Sequence, residues 1–231
     1  MPRVRGEAVN LATNYILKKI ENYELSAGDI VSDLELSKEF DMSRTPIREA
    51  IMSLIDSGIL ERTATKVVVK SITLADITEI LQVREAIDQK AASIIIVTGG
   101  LSAVQEKEFS AIHTELLHNI TFGDFSKNFQ TDELFHRKLI EYSGNSRLLD
   151  ISERLSLQSQ RLRWISTLTP SRYISTHNEH TAILEALFNK NAEKSDSAIR
   201  EHYLYTLKNY QDILNMPQWQ KIAREMRHMK V

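Results

Sequence analysis

Apolar residues recur at helical spacing through most of the chain. Between sparse glycines and prolines they return every three or four residues, which is the period of a helix with one buried face. The exception is 59–70, where the apolar and β-branched runs 59–62 and 66–69 flank Thr63, Ala64 and Thr65. This pattern predicts a mainly α protein with one small β-hairpin.

Three helices are predicted before the hairpin, at 8–23, 33–40 and 44–57. Ser32 and Glu35 have the spacing of a capping box at the start of the second helix. Pro46 suits the first turn of the third helix, with Ser43 or Thr45 as its N-cap. Three helices and a hairpin over 1–70 are typical of a winged helix-turn-helix domain that binds DNA.

The third predicted helix has one apolar face and one basic edge. Its apolar positions recur at the spacing of a single buried stripe: Ile47, Ala50, Ile51, Leu54 and Ile55. Arg44 and Arg48 fall off that stripe and, being four residues apart, share the exposed face near the helix N-terminus. A recognition helix meets DNA with this part of its surface.

The remainder of the chain is predicted to be all α. Residues 71–74 read as a short linker, and 75–231 as a second domain in which six or seven helices form a bundle. The predicted fold class is therefore mainly α: a winged helix-turn-helix followed by an all-α bundle.

Composition narrows the function without deciding it. The 231 residues carry a net charge of −2, so overall charge does not indicate a nucleic-acid partner. No apolar run approaches the length needed to span a membrane, and the start of the chain lacks a signal-peptide pattern, so a cytoplasmic protein without a membrane partner is expected. Because cysteine is absent, any metal must bind to histidine or oxygen ligands.

Residues 42–50, with the sequence Met-Ser-Arg-Thr-Pro-Ile-Arg-Glu-Ala, together with Leu54, Gly58 and Leu60, resemble the recognition-helix signature of GntR-family regulators. Residues 24–31 resemble the loop before the family's second helix. The resemblance implies operator DNA as partner. It implies DNA contacts from Arg44, Thr45 and Arg48, and backbone-phosphate contacts from Thr65 and Lys66, which could equally form an ordinary polar turn.

Two departures from the GntR pattern bear on the operator. Residues 32–35 lack a basic residue that some members use, and the hairpin tip 63–65 lacks their glycines. The resemblance therefore leaves the operator sequence open.

Residues 83–88 and 132–136 resemble motifs of the FCD ligand-binding domain found in the FadR branch of that family. Asp132 and His136 are four apart on a predicted helix and can reach one cation. The resemblance adds His180 and His202, which gives a site of one carboxylate and three imidazoles for zinc, nickel or manganese. The remaining histidines near the site rank as non-ligands; they are His113, His118 and His177, of which His113 and His118 are expected to face solvent.

Such a metal site leaves coordination positions for a carboxylate, or for water alone. Arg84 is the favoured partner for an organic acid effector, with Arg161 and Arg163 as further candidates. The sequence and the resemblance together predict a homodimeric transcription regulator of a palindromic operator, expected to be a repressor, whose second domain also forms the dimer contacts. It responds to a small carboxylate, and two directions stay open: the ligand either releases or promotes DNA binding. Two alternatives remain: a metal-dependent hydrolase, which is disfavoured because no dedicated general base is evident, and a regulator that senses the metal itself.

Overall fold

The computed structural model describes residues 5–21, 24–166 and 171–216, except for the side chains at 156–157 and 159–166 and at a few helix ends. These residues form two compact units, divided between Thr73 and Leu74. The elements in chain order are α1 (Arg5–Glu21), α2 (Asp33–Glu39), α3 (Arg44–Asp56), β1 (Leu60–Arg62), β2 (Val67–Val69), α4 (Leu74–Val97), α5 (Ala103–Thr121), α6 (Phe125–Tyr142), α7 (Ser146–Ser166), α8 (Ser171–Phe188) and α9 (Ala192–Asn215).

The first unit is a winged helix-turn-helix, as predicted. Helices α1 and α2 both pack on α3, whose apolar stripe is buried except for the half-buried Ile55. Ser32 caps α2 by accepting a hydrogen bond from the backbone N–H of Glu35 at 3.3 Å. The N-cap of α3 is Ser43, and Thr45 already lies inside the helix, so the structure resolves the choice that the sequence left open.

The wing is a two-stranded antiparallel hairpin in which Leu60 pairs with Val69 and Arg62 with Val67. Its tip is closed by Thr63, whose backbone N–H and side-chain hydroxyl both donate to the carbonyl oxygen of Lys66, at 2.8 and 3.0 Å. A threonine that bonds its own turn in this way replaces the glycine expected at such a tip. Gly58, at a φ of 71°, makes the left-handed turn that leads from α3 into the wing.

The second unit is a bundle of six helices, α4–α9, within the described residues. The broadest packing joins α4 to α9, α8 to α9 and α5 to α6. Its first helix begins at Leu74, one residue earlier than the predicted boundary, and α5 starts with a capping box made by Ser102 and Gln105. The core is built from aliphatic and aromatic side chains that include Ile77, Ile95, Phe109, Phe135, Leu139, Ile183, Leu187 and Ile213.

The structure confirms the predicted fold class. A mainly α chain with one two-stranded sheet follows from the helical period of the apolar residues and from the single β-branched segment. None of the helices in the described residues is long and apolar enough to cross a membrane.

Candidate functional site

Three helices of the second unit bring their histidines to one place. His136 lies on α6, His180 on α8 and His202 on α9, and one ring nitrogen of each lies within 4.8 Å of those of the other two. All three side chains are buried, with at most 5% of any residue exposed. Three imidazoles converging in a protein interior are typical ligands of a transition-metal ion.

Asp132 completes the cluster from the turn of α6 that precedes His136. One carboxylate oxygen lies 3.9 Å from Nε2 of His136 and the other lies 3.6 Å from Nε2 of His180. The i, i+4 spacing on a helix places Asp132 and His136 on one face, as the sequence predicted. The four residues named from the sequence are therefore neighbours in the structure.

Asp88, on α4, orients the first of these imidazoles. His136 donates from Nδ1 to Asp88 Oδ2 at 2.7 Å, and the same oxygen accepts the Tyr203 hydroxyl at 2.6 Å. A histidine that donates from Nδ1 has its Nε2 lone pair available to bind a cation. Asp88 itself is 3% exposed. Burial acts to raise its pKa, but the interaction with His136, the guanidinium of Arg84 and the hydrogen bond from Tyr203 outweigh burial and lower the pKa.

Glu179 orients a second imidazole in the same way. His202 donates from Nδ1 to Glu179 Oε2 at 2.9 Å. Glu179 precedes His180 in the chain, but adjacent helical residues point about 100° apart, so its carboxylate reaches the histidine of the neighbouring helix instead. Sequence reasoning missed both orienting carboxylates, although Asp88 lies inside the segment 83–88 and Glu179 is next to His180 in the chain.

His180 has a different environment. Its ring stacks on Phe135 at a centroid separation of 4.0 Å, and neither ring nitrogen has a hydrogen-bond partner among the described residues. A buried polar group without a partner costs about 1–3 kcal/mol. A cation bound at Nε2 would satisfy one of these nitrogens.

The three imidazoles also differ in charge. Burial, with repulsion from His202 and His136, holds the pKa of His180 well below its usual value. Burial likewise lowers the pKa of His202, against the opposing hydrogen bond to Glu179. Burial alone would lower the pKa of His136, but attraction to Asp88, their hydrogen bond and Asp132 outweigh it and raise the pKa. Two rings are thus held neutral, the state in which imidazole binds metal.

These observations fit a divalent transition-metal ion. The donor set of three imidazoles and one carboxylate is typical for zinc, nickel or manganese. Two imidazoles are already oriented by carboxylates, and the third is unsatisfied without a cation.

A small cavity of about 90 Å³ adjoins the cluster, and Asp132, His136 and His202 form part of its wall. Arg84 also lines it, with 18% of its side chain exposed and one Nη 3.5 Å from Glu133. The structure therefore places the favoured effector-binding arginine beside the histidines. A partly buried guanidinium at such a cavity can bind a carboxylate.

Arg172, on α8, is a second cavity-lining arginine, and the sequence analysis did not single it out. Its two Nη groups donate to the two oxygens of Glu179 at 2.6 and 2.7 Å, and Nη2 also lies 3.0 Å from Thr206 Oγ1. No spacing rule would have identified it, because its place beside the cavity comes from the packing of α8 on α9. The side chains of Arg161 and Arg163 lie outside the described residues.

The other histidines within the described residues, His113, His118 and His177, lie outside the cluster. His113 and His177 stack on each other at a centroid separation of 3.9 Å, and His113 Nε2 lies 3.0 Å from Thr181 Oγ1. The expectation that His113 faces solvent is therefore wrong, since helix α8 half-buries it; the expectation for His118 is correct, as it is exposed.

The predicted DNA-binding residues lie on the surface of the first unit. The side chains of Arg44 and Arg48 are 48% and 62% exposed, and Thr45 is exposed beside them on α3. Thr65 and Lys66 are exposed at the wing tip. Asp33 forms ion pairs with both arginines, whereas the sequence analysis noted only that residues 32–35 lack a basic residue.

Two protein families match this chain. The FCD domain family matches residues 79–204, which is more than half of the chain, and the gntR family of bacterial regulatory proteins matches residues 11–66. The two matches fall within the second and the first structural unit, respectively.

The chain aligns with most of the length of several transcription regulators. The chain is 24% identical over 208 residues to the uncharacterized HTH-type transcriptional regulator YdhC of Bacillus subtilis, covering 87% of this chain and 90% of YdhC. It is 27% identical over 187 residues to the Nta operon transcriptional regulator of Aminobacter aminovorans, covering 78% and 84%. The solved structure of McbR/YncC from Escherichia coli superposes with a TM-score of 0.74 at 18% identity, over 90% of this chain and 99% of that one, which shows a shared fold.

The matched families and relatives are transcription regulators and not enzymes. The prediction that the chain is not an enzyme is thereby confirmed, and the hydrolase alternative loses its support.

Proposed function

This chain belongs to the GntR family of bacterial transcription regulators, in the group that carries an FCD domain, and we propose that it is a metal-containing repressor controlled by a small carboxylate. The observation that carries the proposal is the histidine cluster beside a cavity lined by two arginines. Relatives named as repressors, RspR of Escherichia coli and the gluconate operon repressor of Bacillus licheniformis, support the direction of control.

The metal ion would be held by Asp132, His136, His180 and His202. When bound, it supplies a positive charge with coordination positions left for an oxygen ligand. Asp88 and Glu179 hold two of the imidazoles in the required tautomer, and the burial of all three rings keeps water from competing for them.

The effector would enter the cavity with its carboxylate directed toward the metal ligands. Arg84 lines that cavity and offers a guanidinium group to a further acidic oxygen. Arg172, which is held by Glu179 and Thr206, adds positive charge to the same wall. The small volume favours an acid of few carbon atoms over a long-chain one. Arg161 and Arg163 remain candidates on the sequence argument alone.

The DNA partner would be a palindromic operator. In a homodimer, two recognition helices would enter successive major grooves about one helical turn apart. Arg44, Thr45 and Arg48 would face base edges and phosphates, and Thr65 and Lys66 would meet the backbone from the wing. An effector that binds the DNA-incompetent conformation more tightly than the DNA-competent one shifts the population away from DNA binding. A difference of about 3 kcal/mol suffices for a useful response.

The metal site can be tested by elemental analysis of the purified, unchelated protein. We expect about one transition-metal ion per chain, and loss of that metal in the His136→Ala, His180→Ala double variant. His118→Ala is the matched control, since that histidine is exposed and lies outside the cluster. Full metal content in the double variant would refute the assignment.

A second titration separates a metal-anchored effector from a metal signal. Binding to a duplex selected by the protein from a random-sequence pool is followed first against Zn²⁺ and then, with metal present, against a panel of small mono- and dicarboxylates. We expect affinity to follow a carboxylate while the metal stays bound. If affinity follows Zn²⁺ alone, the metal is the signal and the carboxylate proposal fails.

The proposed DNA contacts of Arg44 and Arg48 are tested with the same duplex. Arg44→Ala and Arg48→Ala should each weaken binding by about 1–3 kcal/mol if these arginines contact bases, without changing the metal content. Unchanged binding in both variants would remove them from the DNA interface.

A further inference from the structure

Asp33 stands at the point where the recognition arginines converge. It is the first residue of α2, whereas Arg44 begins α3 and Arg48 follows one turn later. Arg44 donates from Nη2 to both carboxylate oxygens at 2.9 and 2.8 Å, and from Nε to Oδ2 at 3.2 Å. Arg48 donates from Nε to the same Oδ2. One carboxylate therefore holds both arginine side chains that are proposed to contact DNA.

The arrangement leaves defined donors for a ligand. Arg48 bonds Asp33 through Nε, which leaves the terminal pair of N–H bonds, one on each Nη at the far end of the guanidinium, to meet a ligand. Of its side chain, 62% is exposed. The terminal pair is the fork that reads N7 and O6 of guanine in the major groove. Arg44 bonds Asp33 through Nε and Nη2, and its Nη1 does not take part in these hydrogen bonds. The carboxylate thus orients the arginines without using the groups that would contact a base.

The same carboxylate reduces the positive charge of the surface. The hydrogen bond from Arg48 is the largest influence that lowers the pKa of Asp33, with further contributions from Arg44, so the group is ionised at neutral pH. Affinity for DNA of arbitrary sequence comes almost entirely from positive charge near phosphates. A negative charge between the two arginines opposes that affinity at every sequence. This loss of affinity is offset only at DNA sequences where the oriented guanidinium groups also gain base contacts.

We propose that Asp33 is a specificity-determining residue of this regulator, which orients Arg44 and Arg48 for base contact and suppresses binding to DNA of arbitrary sequence. The proposal rests on the proposed DNA role of Arg44 and Arg48. Asp33 itself need not touch DNA to act in this way.

The test compares two duplexes: one selected by the wild-type protein from a random-sequence pool, and a scrambled duplex of the same composition. Asp33→Asn removes the charge but keeps the shape of the side chain. We expect the ratio of the two dissociation constants to fall at least about 10-fold, with tighter binding to the scrambled duplex. The slope of log affinity against log salt on that duplex should become steeper by about one, the value for one additional phosphate contact.

Asp56→Asn is the matched control, because it makes the same chemical change on an exposed residue at the far end of α3. It should leave the ratio within about threefold of the wild type, since Asp56 is remote from both arginines. Asp33→Glu, which restores the charge, should recover most of the wild-type ratio. Thermal unfolding of each variant verifies that the domain is folded, and Asp33→Ala replaces Asp33→Asn if that variant is not.

A ratio for Asp33→Asn equal to that of Asp56→Asn would overturn the proposal. If Arg44→Ala and Arg48→Ala weaken binding in the same assay, that result refutes only the role of Asp33. If neither arginine variant has an effect, the proposed DNA face fails and the inference fails with it.

Discussion

Replacement of Asp88 by asparagine tests whether the orienting carboxylates set the affinity of the metal site. Asp88 is 3% exposed, and its Oδ2 accepts hydrogen bonds from both His136 Nδ1 and the Tyr203 hydroxyl. Asparagine has the same shape but no charge. If its amide nitrogen faces His136, Nδ1 must become the acceptor and the proton moves to Nε2, where it blocks the metal.

The magnitude follows from this geometry. Loss of a carboxylate that orients a metal-bound histidine weakens metal binding by about 10- to 100-fold, equivalent to about 1.4–2.7 kcal/mol. The lower end applies if the amide oxygen takes the place of Oδ2, because only the charge is then lost. The upper end applies if the amide is reversed. Asp88→Ala, which removes every acceptor at this buried position, should reach the upper end.

The assay is a competition titration of Zn²⁺ between the dialysed protein and a chromophoric chelator, repeated with Ni²⁺ and Mn²⁺. Tyr203→Phe serves as the control, since it removes one hydrogen bond to Asp88 but leaves the contact with His136 intact, and it should change affinity by less than about threefold. Zinc affinities within threefold of the wild type for both Asp88 variants, with unchanged thermal unfolding, would refute the reasoning.

Three further predictions concern stability, each measured by urea unfolding with circular dichroism. Leu54→Ala, at a fully buried position of α3, should destabilise the first unit by about 2–5 kcal/mol and abolish DNA binding at a lower urea concentration, with unchanged metal content. Equal urea midpoints for the variant and the wild type would contradict the packing. Arg172→Met should destabilise the second unit by about 3–5 kcal/mol because it leaves the half-buried Glu179 without its guanidinium, whereas Arg200→Met on an exposed face should cost less than about 0.5 kcal/mol. Ser102→Ala should cost about 1 kcal/mol through loss of the α5 cap, and no loss would show that water replaces the hydroxyl.

The helices and the hairpin could be predicted because they depend on short-range pattern. The apolar residues of α3 recur with the period of a helix. The spacing of residues within three turns was therefore enough to predict which face of α3 is buried and that Arg44 and Arg48 are exposed. The i, i+4 relation of Asp132 and His136 is local in the same sense. The two remaining ligand candidates, His180 and His202, were named by family resemblance, since no local rule connects three separate helices.

The hydrogen-bond partners that give the site its chemistry depended on the tertiary structure. Asp88 reaches His136 across 48 positions of the chain, and Arg172 reaches Thr206 across 34. Asp33 meets two arginines only because α2 and α3 pack at their N-terminal ends. Which residues form helices and which face of each is apolar were determined by the sequence, because these are properties of neighbouring residues. Which polar groups meet between helices was decided by packing, because it depends on the rotation and offset of whole helices, and no periodicity along a single helix encodes these quantities.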